Sequence, residues 1–217
     1  MTPGKRLFDI VAALFLGALL IVPFGILLIF LLLREGRPVF YVSERMRAPG
    51  RPFQLWKLRT MCAVAADAGV SGGDKAARVT PMGRWLRRHR ADEIPQLWNV
   101  LKGDMSFVGP RPPLRSYVER YPQIYARVLQ SRPGITGLAT LTFHKHEERI
   151  LSACQTAEQT DAAYVRRCIP RKAHLDEIYS KRRTLCMDLV LMVRTVRRRP
   201  RRAAKSVKVG PSLLTRR

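Results

Sequence analysis

The side chains best suited to chemistry crowd between Arg84 and Pro112. Asp92 and Glu93 stand side by side just ahead of Pro95, a good first residue for a helix. Unpaired N–H groups at a helix start favour anions, so this position suits ionised carboxylates and phosphate oxygens alike. Read alone, the pair could equally be a helix cap. Its surroundings argue for more: Arg84, Arg87, Arg88 and Arg90 precede it, and Gly103-Asp104, Ser106 and Gly109-Pro110-Arg111-Pro112 follow. Arg111 between two prolines is a rigid way to aim a guanidinium at a phosphate.

The elements that must position these residues can be traced along the chain. Val39–Glu44 and Pro52–Arg59 are β-branched and aromatic-rich and flank Ala48-Pro49-Gly50, which predicts a hairpin. Residues 63–79, with Ser71-Gly72-Gly73, read as a mobile loop. Thr80-Pro81 opens a helix, and a second helix runs from Pro95 to a stop at Gly103. Pro113–Leu129 reads as helix interrupted at Pro122, then Arg132-Pro133-Gly134 turns the chain. Two or three amphipathic helices follow Phe143, and Leu185–Val193, apolar except for Asp188, suits an interface.

The run from Ile10 to Leu33 carries no charge and would form a helix of about 36 Å, enough for a bilayer core. Pro23 beside Gly25 favours a kink. Lys5 and Arg6 flank the run on one side and Arg34 and Arg37 on the other, whereas a spanning helix usually shows a one-sided positive bias. The residues alone leave a spanning and a re-entrant helix both open.

The 217-residue chain has 47% hydrophobic residues, which argues against disorder, and a formal charge of +24, from 40 Lys and Arg against 16 Asp and Glu. That excess calls for anionic partners. A nucleic-acid binder would interleave its cations with exposed aromatics or show a groove-reading helix, and neither is evident. Acidic lipid and phosphorylated substrates fit better. The four cysteines lie far apart with no C-x-x-C pair, so they read as reduced thiols.

Five stretches in order resemble the bacterial sugar transferases, the monotopic polyprenyl-phosphate phosphoglycosyl transferases. They are Lys5-Arg6-Leu7-Phe8-Asp9, Lys57-Leu58-Arg59-Thr60-Met61, Ala91 to Pro112 (ADEIPQLWNVLKGDMSFVGPRP), Arg132-Pro133-Gly134-Ile135-Thr136-Gly137, and Asp176 with Tyr179. The resemblance implies an α+β fold: a small, mainly helical catalytic domain with a β-hairpin, attached to an N-terminal re-entrant membrane helix and interfacial amphipathic helices. It divides the chain into a membrane helix (1–36), a cytoplasmic catalytic domain (37–199) and a basic flexible tail (200–217).

It further implies that Asp92 attacks the sugar-bearing phosphate of a UDP-sugar, releasing UMP, and that polyprenyl (undecaprenyl) phosphate then takes the phosphosugar. Glu93 completes the catalytic pair, and Mg2+ near Asp92 offsets diphosphate charge. Lys57, Arg59, Arg87, Arg111 and Arg132 are the expected phosphate or nucleotide-sugar ligands. Lys5, Arg6, Asp9 and Pro23 would lie at the membrane interface, on the cytoplasmic face of the bacterial inner membrane. A phospholipid membrane is thus a partner, nucleic acid is not, and the oligomeric state is open, a dimer included. A catalytically dead scaffold is disfavoured by intact Asp92, Glu93 and Arg111.

Two departures stand out. The family's Ser-Pro break is Val22-Pro23 here, and the usual W-A-Q-V-N-G-R after the Gly137 turn is replaced by LATLTFHKHEER. His144, His146, Glu147 and Glu148 read as a solvated or substrate-facing loop rather than a metal site, with Arg149 a stand-in for the missing arginine.

Overall fold

The computed structural model describes residues 1–62, 69–70 and 72–197. The tail expected over 200–217 and part of the loop expected over 63–79 lie outside these residues. The rest of that loop includes a short 3-10 helix, Gly73–Arg78.

Helix α1 (Pro3–Glu35) starts where Thr2 accepts a hydrogen bond from the Lys5 amide, with Pro3 at the first position, and ends at Gly36, whose φ of 68° no β-carbon has to tolerate. Pro23 lies inside it. The hairpin follows as expected but longer: β1 (Phe40–Ala48) pairs antiparallel with β2 (Arg51–Leu58) across Pro49-Gly50. Tyr41 faces Lys57, Ser43 faces Leu55 and Arg45 faces Phe53. These six side chains therefore share one face of the ribbon. Phe53 and Leu55 are buried, which makes it the inward face.

The next two helices obey their local signals. Thr80 caps α2 (Pro81–His89) through the Gly83 amide at 2.8 Å, and α3 (Gln96–Lys102) stops at Gly103 in the left-handed region. After α3 come β3 (Ser106–Val108), α4 (Arg115–Arg120), α5 (Pro122–Val128) and β4 (Gly134–Thr136). The break between α4 and α5 falls at the expected Pro122. Strands β3 and β4 form a parallel pair that sequence reasoning did not foresee. It depends on bare backbone: a β-carbon on Gly109 would collide with the Arg132 carbonyl, and one on Gly137 with that of Gly109.

The remaining helices are α6 (Leu138–Ser152), α7 (Ala157–Ala163), α8 (Ile169–Arg182) and α9 (Leu185–Arg197), with a π-turn over Tyr164–Cys168. Residues 144–149 thus lie within α6. The expected loop is corrected to helix: Phe143 and Leu151, two turns apart, are both buried and hold the polar stretch between them.

One core joins α4, α5, α6 and α8 through residues such as Tyr117, Tyr125, Phe143 and Ile169. A second gathers Ala13 of α1, Phe53 and Leu55 of the hairpin, Val100 of α3, Phe107 and Val108 of β3, and Leu191 of α9. A third packs Leu31 of α1 on Leu58 and Leu86. Helix α1 thus touches the domain near both ends, while Leu14, Phe15, Leu19, Ile21 and Val22 between them are exposed. That exposed apolar surface makes α1 a candidate for membrane association, and the helix is long and apolar enough to cross a membrane.

Candidate active site

Asp92 and Glu93 sit in a 3-10 turn, Ala91–Glu93, wedged between α2 and α3. The turn is entered through Arg90, a non-glycine residue with positive φ (56°). The two carboxylates are buried but held very differently. Glu93 accepts hydrogen bonds from Arg90, a short contact, and from Arg111 at 3.4 Å. Burial alone would raise its pKa, yet the charges of Arg90, Arg111 and Lys57 outweigh that and hold Glu93 below the usual range. Among the described residues Asp92 accepts no hydrogen bond. Burial and the neighbouring Glu93 charge raise its pKa, partly offset by Lys57, Arg111 and Arg87. One carboxylate is thus fixed and charged, and the other stands free in a field of cations.

Those cations are delivered by three elements. Lys57 comes from the inward face of β2, and Arg111 from the Pro110–Pro112 segment after β3. Arg87 comes from the last turn of α2, where Thr60 receives its Nε–H at 2.9 Å. Lys57 and Arg111 line a cavity with Arg45, Gln96, Pro112 and Ile135. Burial and the Arg111 charge depress the Lys57 ammonium to about 7.

Two of the expected phosphate ligands lie elsewhere. Arg59 donates to the carbonyls of Glu35 (2.8 Å) and Gly36 (3.2 Å), so its guanidinium serves the end of α1. Arg132 lies within the electrostatic reach of Arg6, Arg47, Asp9 and Asp104 rather than of Asp92. Among the described residues neither guanidinium hydrogen-bonds Asp92 or Glu93. The backbone turn also differs from expectation. The amides of Glu93, Ile94, Leu97 and Trp98 donate to carbonyls three residues back, which leaves anion binding mainly to side-chain cations.

The Lys5-Arg6-x-x-Asp9 motif, expected at the membrane interface, turns its side chains onto the domain. Its members share a helix face. Lys5 pairs with Asp188, Arg6 donates to the carbonyls of Val100 (2.6 Å) and Leu101 (2.7 Å), and Asp9 accepts from the Phe107 amide at 3.3 Å. Tyr179 hydrogen-bonds Val108 and Asp188 in the same knot. Pro23 stays exposed. Asp176 lies apart, buried in α8, with its pKa pushed up to about 7 by desolvation.

Three side chains outside the expected ligand set also contribute. Arg90 grips Glu93. Arg45 shares the cavity with Lys57, a placement only the strand register reveals. Glu147 accepts from Lys172 at 2.8 Å and adds to the attraction on Arg111, so it, rather than Arg149, links the divergent segment to the site.

No cluster of three His, Cys, Asp or Glu side chains that could hold a metal occurs among the described residues. Asp92, which accepts no hydrogen bond among the described residues, and Glu93, tied by Arg90 and Arg111, thus stand in the field of Lys57, Arg87 and Arg111.

Comparison with known proteins gives the same direction. The bacterial sugar transferase family matches residues 2–201. The UDP-galactose-lipid carrier transferase of Erwinia amylovora is 31% identical over 208 residues, covering 88% of this chain and 39% of that protein. The undecaprenyl-phosphate galactose phosphotransferase of Salmonella typhimurium is 31% identical over 209 residues, covering 89% and 40%. The UDP-glucose:undecaprenyl-phosphate glucose-1-phosphate transferase of Caulobacter vibrioides is 42% identical over 140 residues, covering 62% and 52%. The chain thus spans about two fifths to half the length of these relatives. With a match over nearly its whole described length, the chain belongs to the bacterial sugar transferase family.

Proposed function

We propose that this protein moves a sugar 1-phosphate from a UDP-sugar to undecaprenyl phosphate through a phosphosugar carried on Asp92. The observation behind this reading is the contrast within the carboxylate pair: Asp92 has no hydrogen-bond partner among the described residues, whereas Glu93 is tied by Arg90 and Arg111. A carboxylate oxygen of Asp92 attacks the sugar-bearing phosphorus, and the bond to UMP breaks with its electron pair leaving on UMP. A phosphate oxygen of the acceptor then attacks the same phosphorus, the bond to Asp92 breaks, and the carboxylate is restored. Lys57, Arg87 and Arg111 offset the charge that spreads over the phosphoryl oxygens. The names of the relatives support UDP-sugar and undecaprenyl phosphate as substrates.

Asp92 also fits a Mg2+ site, because its carboxylate is unclaimed by protein donors and Mg2+ is commonly held by one or two carboxylates plus substrate phosphates. When bound, the ion would neutralise diphosphate charge.

The proposed setting is the cytoplasmic face of the inner membrane, in the first membrane step of a surface glycan pathway. Helix α1 would enter one leaflet and return, leaving residues 37–199 as the catalytic domain. Contacts of both ends of α1 with one domain support this. The experiment is direct: incubate purified protein with undecaprenyl phosphate and a panel of UDP-sugars, following UMP release and the mass of Asp92-containing peptides. Asp92→Asn should abolish both signals and Glu93→Gln should lower the rate severely. Turnover by Asp92→Asn at the wild-type rate would overturn the assignment.

A further inference from the structure

We propose that Arg45 is a binding residue for a phosphate monoester, and that the Arg45–Lys57–Arg111 cavity holds the phosphate of departing UMP and afterwards that of the acceptor lipid. The inference rests on the transfer reaction proposed above.

Arg45 reaches the cavity for three local reasons. Its register opposite Phe53 turns it to the inward face of the hairpin, the face that also carries Lys57. The next residue, Met46, is buried and its amide donates to the Pro113 carbonyl at 3.1 Å, which pins this strand beside the segment bearing Arg111. Arg45 then lines the same cavity as Lys57, Gln96 and Arg111.

Once there, Arg45 is poorly matched by protein. Its Nε–H meets only Ser43 Oγ, at 3.4 Å, and among the described residues it makes no ion pair. The guanidinium offers five N–H donors, so most are unspent. Burial and the nearby Arg111 charge lower its pKa to about 10. The one carboxylate bonded to this cluster, Glu93, is shared with Arg90. Three cations around a cavity repel one another strongly when water is scarce, and an entering anion relieves that repulsion.

The position matches one part of the reaction. Arg45, Lys57 and Arg111 line a cavity whose wall does not include Asp92. Arg45 is therefore placed beside the reacting carboxylate rather than on it, where the phosphate flanking the attacked phosphorus would lie. In an in-line displacement the leaving oxygen lies opposite Asp92. The acceptor oxygen must displace Asp92 from that same side. UMP departs with the electron pair of the broken bond, and the acceptor phosphate supplies the pair for the new one, so no proton or further reagent is needed. The cavity measures only about 10 Å³, so the Arg45 and Arg111 side chains would part to admit the phosphate of each monoester in turn.

The test uses the full-length protein in detergent. Calorimetry would measure UMP binding to wild type, Arg45→Gln and Arg45→Lys. A second arm would chase the isolated Asp92 adduct with undecaprenyl phosphate. Loss of one charge-assisted contact should weaken UMP about tenfold in Arg45→Gln and slow the chase by a similar factor, with Arg45→Lys in between. Because an unmatched cation is removed, ligand-free Arg45→Gln should melt no lower than wild type. Unchanged UMP affinity would overturn the proposal, as would a lower melting temperature accompanying the lost affinity, since that marks a structural residue. Weaker UMP with an unaltered chase would overturn the shared pocket. If wild type formed no adduct with any UDP-sugar, the transfer reaction itself would fail, a result separable from normal turnover with Arg45→Gln binding UMP like wild type.

Discussion

Lys5 and Asp188, 183 positions apart, form a buried ion pair that locks the start of α1 to α9. The second oxygen of Asp188 accepts from the Tyr179 hydroxyl at 2.7 Å, and that hydroxyl also lies 3.1 Å from the Val108 carbonyl. The apolar N-terminal helix, the last described helix and the strand leading to Arg111 are thus joined at one point.

Lys5→Met should cost about 3–5 kcal/mol, because it leaves Asp188 charged and unmatched in the interior. Thermal melting in detergent would show it. The double variant Lys5→Met, Asp188→Leu should recover most of the loss, since a buried pair is replaced by apolar groups of similar volume. A double variant as unstable as the single one would show that the pair is not an independent unit.

In the proposed reaction Lys57 should set a pH limit on substrate binding. Its ammonium titrates near 7 because it is buried beside Arg111. Below that pH it is charged and attracts diphosphate; above it the charge is lost. The KM for UDP-sugar should therefore rise as pH increases through about 7. In Lys57→Arg the cation persists, so KM should stay flat to pH 9. The same alkaline rise in both proteins would point to another group.

The proposed Mg2+ site at Asp92 predicts that activity depends on the ion. EDTA should stop UMP release and added Mg2+ should restore it, with the fold unchanged by circular dichroism. Full rates in metal-free buffer would mean that Lys57, Arg87 and Arg111 suffice for the diphosphate charge.

The hairpin, the Thr80 cap, the Gly103 stop and the break at Pro122 were legible because each follows from a few neighbouring residues. The pairing of β3 with β4 was not: three-residue strands carry almost no periodicity, and their contact depends on Gly109, Gly134 and Gly137 meeting across the fold. Asp92, Glu93, Lys57, Arg87 and Arg111 could be named from residue type and resemblance. Arg45 could not, since one arginine in a strand announces nothing until its register is known. Resemblance alone could not show that Arg59 donates to the Glu35 and Gly36 carbonyls, since that contact joins segments 24 residues apart.

The contacts of α1 lead to a topological prediction. Between Asp9 and Leu31 a straight helix would advance about 33 Å, yet Asp9 is buried against β3 and Leu31 against Leu58 and Leu86 of the same domain. The residues between them expose apolar side chains, and Pro23, which cannot donate to the helix ladder, sits in their midst. If the helix dips into one leaflet and returns, position 2 and the catalytic domain share the cytoplasmic side. A cysteine at position 2, in a chain whose four native cysteines are replaced, should resist a membrane-impermeant thiol reagent in intact cells and react after lysis. Pro23→Leu restores a hydrogen bond and favours a straight span, so part of the population should become labelled from outside. Activity should fall in step, because a crossing helix would pull Lys5 from Asp188 and Asp9 from Phe107. Labelling of the Pro23-containing protein in intact cells would instead place its N-terminus outside, and a Pro23→Leu protein with unchanged labelling and activity would show that the anchors at Lys5, Asp9 and Arg59, rather than the proline, set the path of the helix.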